Sequence, residues 1–128
     1  MNAATLDGFV QLERSVSREK GEFALFALFA REDLPDRRDL VVAAPWVRSQ
    51  EEGAEYLVQE IQKLLSSAVL TDLSRIVIVK PSDPPVEAIN RAIHVQHGRA
   101  EVRDSGFFGV PIKHGYVITS QRLAPATR

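Results

Sequence analysis

Residues 73–96, LSRIVIVKPSDPPVEAINRAIHVQ, decide the fold of this chain. The β-branched run at 76–79 is typical of a strand that is covered on both faces. A proline-rich loop at 80–85 follows it, and apolar residues then recur at the spacing of an amphipathic helix. A buried strand, a short loop and a helix predict an open α/β sheet, a fold that binds ligands at the carboxyl ends of its strands.

The composition limits the class of protein. The chain has 128 residues, of which 45% are hydrophobic and 26% are charged, and these values are typical of one globular domain. A net charge of -1 disfavours nucleic acid as a partner. The absence of cysteine excludes disulfides, thiolate zinc sites and cysteine nucleophiles.

Hydropathy predicts a cytoplasmic protein that has no membrane segment. The longest apolar run, at 23–30, is eight residues long, whereas a helix that crosses a bilayer needs about 20. The first twenty residues include Asp7, Glu13 and Glu19 and lack the apolar core of a secretory signal.

Along the rest of the chain, apolar spacing and turn residues predict the element order α-β-β-α-β-α-β-β. We expect helices at 6–18, from the capping box at 49–52 to residue 68, and from Asp83 to Gly98, and strands at 22–31, 40–44, 75–80, 100–103 and 110–120, with a solvated turn at 32–38.

The connections predict how these strands pair. A short link between 22–31 and 40–44 favours an antiparallel hairpin, and a long helix between 40–44 and 75–80 favours a right-handed parallel crossover. We therefore predict a single α/β domain, with α+β as the alternative class. It is a sandwich built on a mixed five-stranded sheet over residues 1–120, followed by a flexible tail at 121–128.

The parallel crossover predicts a ligand site, because the loops after the two strands would open at the same edge of the sheet. Two helix N-termini and two cations there would attract a small anion such as a phosphate or a nucleotide, and an indole could stack on a ring. The alternative is that the serine at 49 and the aspartate at 83 are helix caps and no more. The candidate residues are Trp46, Arg48, Ser49, Lys80, Ser82 and Asp83.

The histidines predict a second candidate site. His94, His97 and His114 could together bind a zinc-like ion, with Glu101 or Asp104 completing the ligand set. The alternative is that the first two are cations near a helix C-terminus, where the helix dipole favours them. The chain has no cofactor-binding fingerprint, so we expect no cofactor.

Acidic residues offer a weaker third candidate, a carboxylate-based metal nuclease. Glu13, Asp39 and Glu101 are the acids concerned, but the spacing does not match such enzymes and the expected lysine is missing.

Apolar surface favours a function in binding. Phe107 and Phe108 lie between turn signals, and three helices do not readily cover both faces of five strands, so a homodimer or another protein partner could cover the remainder. The alternative is that the helices cover both faces and that these two phenylalanines belong to the core. The leading hypothesis is a non-catalytic protein-interaction or regulatory domain. The alternative is a binding protein or hydrolase for a small anionic ligand.

Overall fold

The computed structural model describes residues 2–107 and 109–123. Its elements follow the predicted order, and they confirm the α/β class. In chain order they are α1 (Ala3–Lys20), β1 (Leu25–Arg31), β2 (Leu34–Ala43), α2 (Gln50–Leu64), a 3-10 helix (Ser67–Asp72), β3 (Leu73–Val79), α3 (Pro84–Ala92), β4 (Ala100–Phe107) and β5 (Val110–Ser120).

The five strands form one mixed sheet in the order β3-β2-β1-β5-β4. β2 and β3 are parallel, with Leu40 opposite Ile76, and the other three neighbouring pairs are antiparallel. The predicted hairpin and the predicted parallel crossover are therefore both confirmed. The crossover contains α2 and also the 3-10 helix, which the sequence did not predict.

The predicted turn at 32–38 is wrong, because β2 already begins at Leu34. Leu34 lies opposite Arg31, so the hairpin closes over two residues. Pairing of β2 with β3 starts only at Arg38, which leaves residues 34–37 projecting beyond β3. Proline and charged side chains are tolerated in a strand where the neighbour on one side is missing.

The third helix ends earlier than predicted. α3 stops at Ala92, and Ile93 is already extended, with φ -131 and ψ 125. The chain then forms a bridge between Val95 and Ser120 at the end of β5. Pairing with the sheet thus replaces the last helical turns, and His94 and His97 lie outside the helix.

The other helix ends follow simple capping rules. Asn2, and not Thr5 or Asp7, caps α1, since its side chain accepts a hydrogen bond from the Thr5 amide. Gly21 ends that helix at φ 128, a conformation that glycine adopts without strain. At the start of α2, Ser49 Oγ accepts from the Glu52 amide at 3.1 Å, as the capping box predicts.

The sheet has two differently covered faces. The α1/α2 face packs beneath two helices, and the α3 face packs beneath one helix of nine residues. Strand side chains on the α1/α2 face include Phe26, Leu28, Leu40, Val42, Ile76 and Ile118, whereas those on the α3 face include Phe29, Val41, Val77, Val79, Ile112 and Val117.

The free edge of β3 is covered by a side chain. The Gln50 amide donates to the Ile76 carbonyl and accepts from the Ile78 amide, both at 2.8 Å. It occupies the place that the peptide of another strand would take, which blocks this edge against pairing with a further strand.

Two predictions fall partly outside the described residues. Phe108 is one of them, and residues 124–128 are most of the predicted tail. The first residues of that tail are packed: the side-chain Nε2 of Gln121 donates to the Phe23 carbonyl, and Leu123 lies against the core of the α3 face. None of the helices within 2–107 and 109–123 has the length and hydropathy needed to cross a bilayer.

Candidate functional site

The predicted crevice at the strand ends is present. The loops after β2 and β3 enclose a cavity of about 370 Å³, and Arg48, Ser49, Lys80 and Ser82 all line it. The parallel pairing of the two strands brings these loops together. Four of the six predicted residues therefore share one cavity, in which two cations lie near the N-termini of α2 and α3.

Trp46 faces away from this crevice. Its indole nitrogen donates to the Gly21 carbonyl at 2.9 Å, and its ring lies 5.4 Å from that of Phe23 and 6.1 Å from that of Tyr56. Trp46 lines a neighbouring cavity of about 390 Å³ beside α2. Its ring therefore fixes α1 to α2 and does not face a ligand in the crevice.

Asp83 closes the turn before α3. Its carboxylate accepts from the Lys80 amide at 3.0 Å, and it is not among the residues that line the crevice. Asp83 also holds the N-cap position of α3, but its side chain makes no capping hydrogen bond there. It therefore shapes the loop that carries Lys80 and Ser82.

The three histidines have different surroundings and share no partner within the described part of the chain. His94 is exposed on the segment after α3, His97 Nδ1 donates to Glu13, and His114 Nε2 donates to Glu101 at 2.6 Å. Over residues 2–107 and 109–123, no group of three or more ligand-type side chains is arranged to hold a metal ion. The predicted zinc-like site is thus not assembled by these residues.

Glu13 forms a buried polar network that the sequence reasoning missed. The side chain is fully buried, and one oxygen lies 2.5 Å from His97 Nδ1. The other oxygen accepts from Thr119 Oγ1 at 2.7 Å and from Ser17 Oγ at 3.1 Å. The available signal was its position on α1, among the apolar residues that face the core. The network ties α1 to β5 and to the segment that follows α3.

A groove lies between α3 and the β4–β5 hairpin, and we call it the α3 groove. Its volume is about 260 Å³. Phe107, for which the sequence left surface and core open, is buried and lines the groove, and its ring centroid lies 5.3 Å from that of Phe29. The residues that line the groove are Phe29, Pro85, Ala88, Ile89, Ala92, Ile93, Val102, Ser105, Gly106, Phe107, Ile112 and Val117.

A second cavity on the same face, of about 330 Å³, contains a buried carboxylate, and we call it the Asp39 pocket. Asp39 Oδ2 lies 3.1 Å from Arg75 Nε and 3.3 Å from Arg31 Nε. Asp39 Oδ1 is buried and finds no hydrogen-bond partner in the part of the chain that the structure describes. The pocket is lined by Phe29, Asp39, Val41, Arg75, Val77, Val79, Phe107, Val110 and Ile112.

Two side chains on the α1/α2 side have shifted pKa values. The hydrogen bond from His114, aided by the charge of Arg103, holds the pKa of Glu101 below its ordinary value. Burial, together with the nearby charges of Glu60 and Glu19, raises the pKa of Tyr56. Neither group lines the crevice, the α3 groove or the Asp39 pocket.

Comparisons with protein-family models, with curated proteins and with solved structures give no match to this chain.

Proposed function

We propose that this protein is a non-catalytic interaction domain that self-associates through the α3 groove. The observation that carries the proposal is the cover of the α3 face, which is one helix of nine residues beside an open apolar groove. The large apolar side chains that line the groove are buried or half-buried, and apolar surface left open between them in this way is typical of protein interaction sites.

A second copy of the chain is the occupant that the α3 surface favours. Ala88 and Ala92 are exposed on α3 and carry small side chains that permit another helix to approach closely. Glu87 lies in the first turn of α3 and Arg91 in the last, and both are exposed. Across a twofold axis, two antiparallel α3 helices would place each Glu87 near Arg91 of the partner subunit, which is the self-complementary pattern of an isologous dimer.

One of the two sheet edges, that of β3, favours association by the face. Gln50 already satisfies backbone groups at Ile76 and Ile78 on the free edge of β3. A partner strand would have to displace this side chain before it could pair there. The α3 groove needs no such displacement.

The polar pairs support a role without chemistry of its own. Glu13 is engaged with His97, Asp39 with Arg75, and Glu101 with His114. Each pair joins separate elements of the fold, and this use accounts for the three acids that the sequence raised as nuclease candidates.

The proposal is tested by analytical ultracentrifugation of the purified chain over a range of concentrations. We expect a dimer whose dissociation is promoted by Ala88→Glu and, separately, by Arg91→Glu, which would oppose two acidic residues across the axis. The double change Glu87→Lys with Arg91→Glu should restore the dimer, because it reverses both charges and keeps them complementary.

Gln59→Glu, an exposed change on α2, serves as the control and should leave the dimer intact. A wild-type chain that stays monomeric at every concentration would overturn the proposal. A dimer that is indifferent to all the α3 variants would overturn the assignment of the groove.

The second candidate function is binding of a small anion in the crevice, favoured by the cavity that Arg48, Ser49, Lys80 and Ser82 share. Calorimetric titration with inorganic phosphate and with a nucleoside diphosphate tests it. Binding should weaken when Arg48 and Lys80 are both changed to alanine, and it should persist in Lys63→Ala, at the far end of α2. No heat of binding with either anion would remove this candidate.

A further inference from the structure

We propose that the Asp39 pocket binds an uncharged amphipathic small molecule that carries an alcohol or a primary amide group. This goes beyond the proposed dimer, since the pocket is walled by β2 and β3, which do not line the α3 groove, although Phe29, Phe107 and Ile112 border both. Three features of the pocket support the proposal: a buried oxygen that has no partner among the described residues, a charge-compensated carboxylate, and apolar walls.

The first feature is the unpaired oxygen. The Asp39 side chain is 5% exposed, and Oδ1 has no hydrogen-bond partner among residues 2–107 and 109–123. A buried polar atom that lacks a partner is costly and rare. Asp39 lines the cavity while Oδ1 itself is closed to solvent, so a ligand donor reaches this oxygen when neighbouring side chains move aside. A hydroxyl or an amide N–H supplies such a donor.

The second feature is the charge around the carboxylate. Arg31 and Arg75 both approach Oδ2, so two guanidinium groups already balance the negative charge of Asp39. A cationic ligand would therefore meet repulsion from the arginines. Arg75 is 51% exposed and lines the pocket, so its remaining N–H groups can donate to a ligand oxygen. An alcohol or a primary amide can donate to Asp39 Oδ1 and can also accept from Arg75, so it complements both groups.

The third feature is the apolar wall. Val41, Val77 and Val79 present a row of β-branched side chains, and aromatic and aliphatic residues from β1, β4 and β5 complete the pocket. Its volume of about 330 Å³ is within the range of small-molecule sites, which combine apolar walls with a few placed polar groups. The apolar part of the ligand would lie along this wall.

The test compares two isomers, 1-hexanol and methyl pentyl ether, which have the same atoms but differ in the hydroxyl donor. Each is titrated into the full chain at equal concentrations while backbone amide shifts are followed by NMR. We expect hexanol to bind about tenfold more tightly than the ether, because a hydrogen bond to a charged acceptor is lost in the ether. The shifts should concentrate at Val41, Val77 and Val79, with Leu57 on the opposite face unmoved. Hexanamide, which also donates and accepts, should behave as the alcohol does.

Two variants locate the site. Asp39→Asn replaces the charged acceptor by a neutral amide and should reduce the preference for hexanol over the ether. Since that change also removes the carboxylate partner of Arg75 and leaves Arg31 with only the exposed Asp33, Val77→Trp provides an independent test, as it fills the pocket without altering Asp39. It should abolish binding, whereas the control Val58→Trp on α2 should not.

Several outcomes overturn the inference. Equal affinity for the two isomers would mean that the hydroxyl of hexanol makes no hydrogen bond to Asp39. That result is expected if a bound water already donates to Oδ1. Shifts confined to other surfaces, or an absence of binding up to the solubility of hexanol, would exclude the pocket as a ligand site. Unchanged binding in Val77→Trp would do the same.

Discussion

The two faces of the sheet differ most where their helices stop covering them. On the α1/α2 face, the area beyond the helices is polar and holds Glu101, Arg103, Lys113 and His114 around an open cavity of about 430 Å³. On the α3 face, the area beyond the helix is apolar and is formed mainly by valines of β2 and β3, next to one buried carboxylate.

This difference indicates that the polar area on the α1/α2 face is stable in contact with water, whereas the apolar area on the α3 face favours a binding partner. Polar side chains on a half-covered face satisfy one another and the solvent, and they need no further cover. Apolar side chains in the same situation leave free energy to be gained by any occupant that removes them from water. Both proposals above therefore concern the α3 face.

The largest expected effect compares one phenylalanine from each face. Phe26→Ala, in the fully covered core of the α1/α2 face, should cost about 4 kcal/mol in the free energy of unfolding. Phe107→Ala should cost about 2 kcal/mol, because Phe107 borders both cavities of the α3 face and its neighbours can relax into them. Urea unfolding of the two variants measures the difference. Equal costs would mean that the two faces are packed equally well.

The next effect concerns the polar network that fastens the covered face. Glu13→Ala leaves His97, Thr119 and Ser17 without their shared acceptor and should lower the free energy of unfolding by about 3 kcal/mol. Glu19→Ala, an exposed change on the same helix, is the matched control and should stay within about 0.5 kcal/mol of the wild type. A loss for Glu13→Ala no larger than for the control would show that the network does not hold α1 in place.

A smaller effect is expected at the free edge of β3, where the α3 face would be widened if another strand added to the sheet. Gln50→Ala removes two hydrogen bonds to the strand backbone and should cost about 1 kcal/mol. It should also increase aggregation on prolonged incubation, measured by light scattering, because it opens a strand edge. Gln59→Ala, on the same helix but away from the edge, should change neither quantity.

The sequence predicted those parts of the molecule that depend on local pattern. The β-branched strand at 76–79, the capping box at Ser49 and the crossover between them follow from spacing and turn chemistry, and these features alone place Arg48 and Lys80 at one crevice. The fold class was predictable for the same reason.

What the sequence did not predict depends on contacts between distant segments. Ile93 leaves the helix because Val95 pairs with Ser120, and Glu13 is buried because its partners arrive from β5 and from the segment after α3. The unpaired oxygen of Asp39 likewise requires strands β1 and β3 to bring Arg31 and Arg75 to its other oxygen. The spacing of apolar and polar residues within one segment does not predict contacts with residues that are distant in the sequence.

The smallest expected effect tests the polar rim of the α1/α2 face through pH. His114 and Arg103 hold the pKa of Glu101 below its ordinary value, so the folded chain binds this proton less readily than the unfolded chain does. The stabilisation is therefore complete above the unfolded pKa and is lost as pH falls through the folded pKa.

Glu101→Gln should be slightly less stable than the wild type near neutral pH, and the gap in melting temperature should close on acidification. Glu55→Gln, exposed on α2, should show no such trend. A gap that persists in acid would mean that Glu101 acts by packing and that its charge adds nothing. The effect on stability is small because Glu101 is exposed and solvent screens its interaction with His114. A polar area that is already solvated in this way gains little from a binding partner.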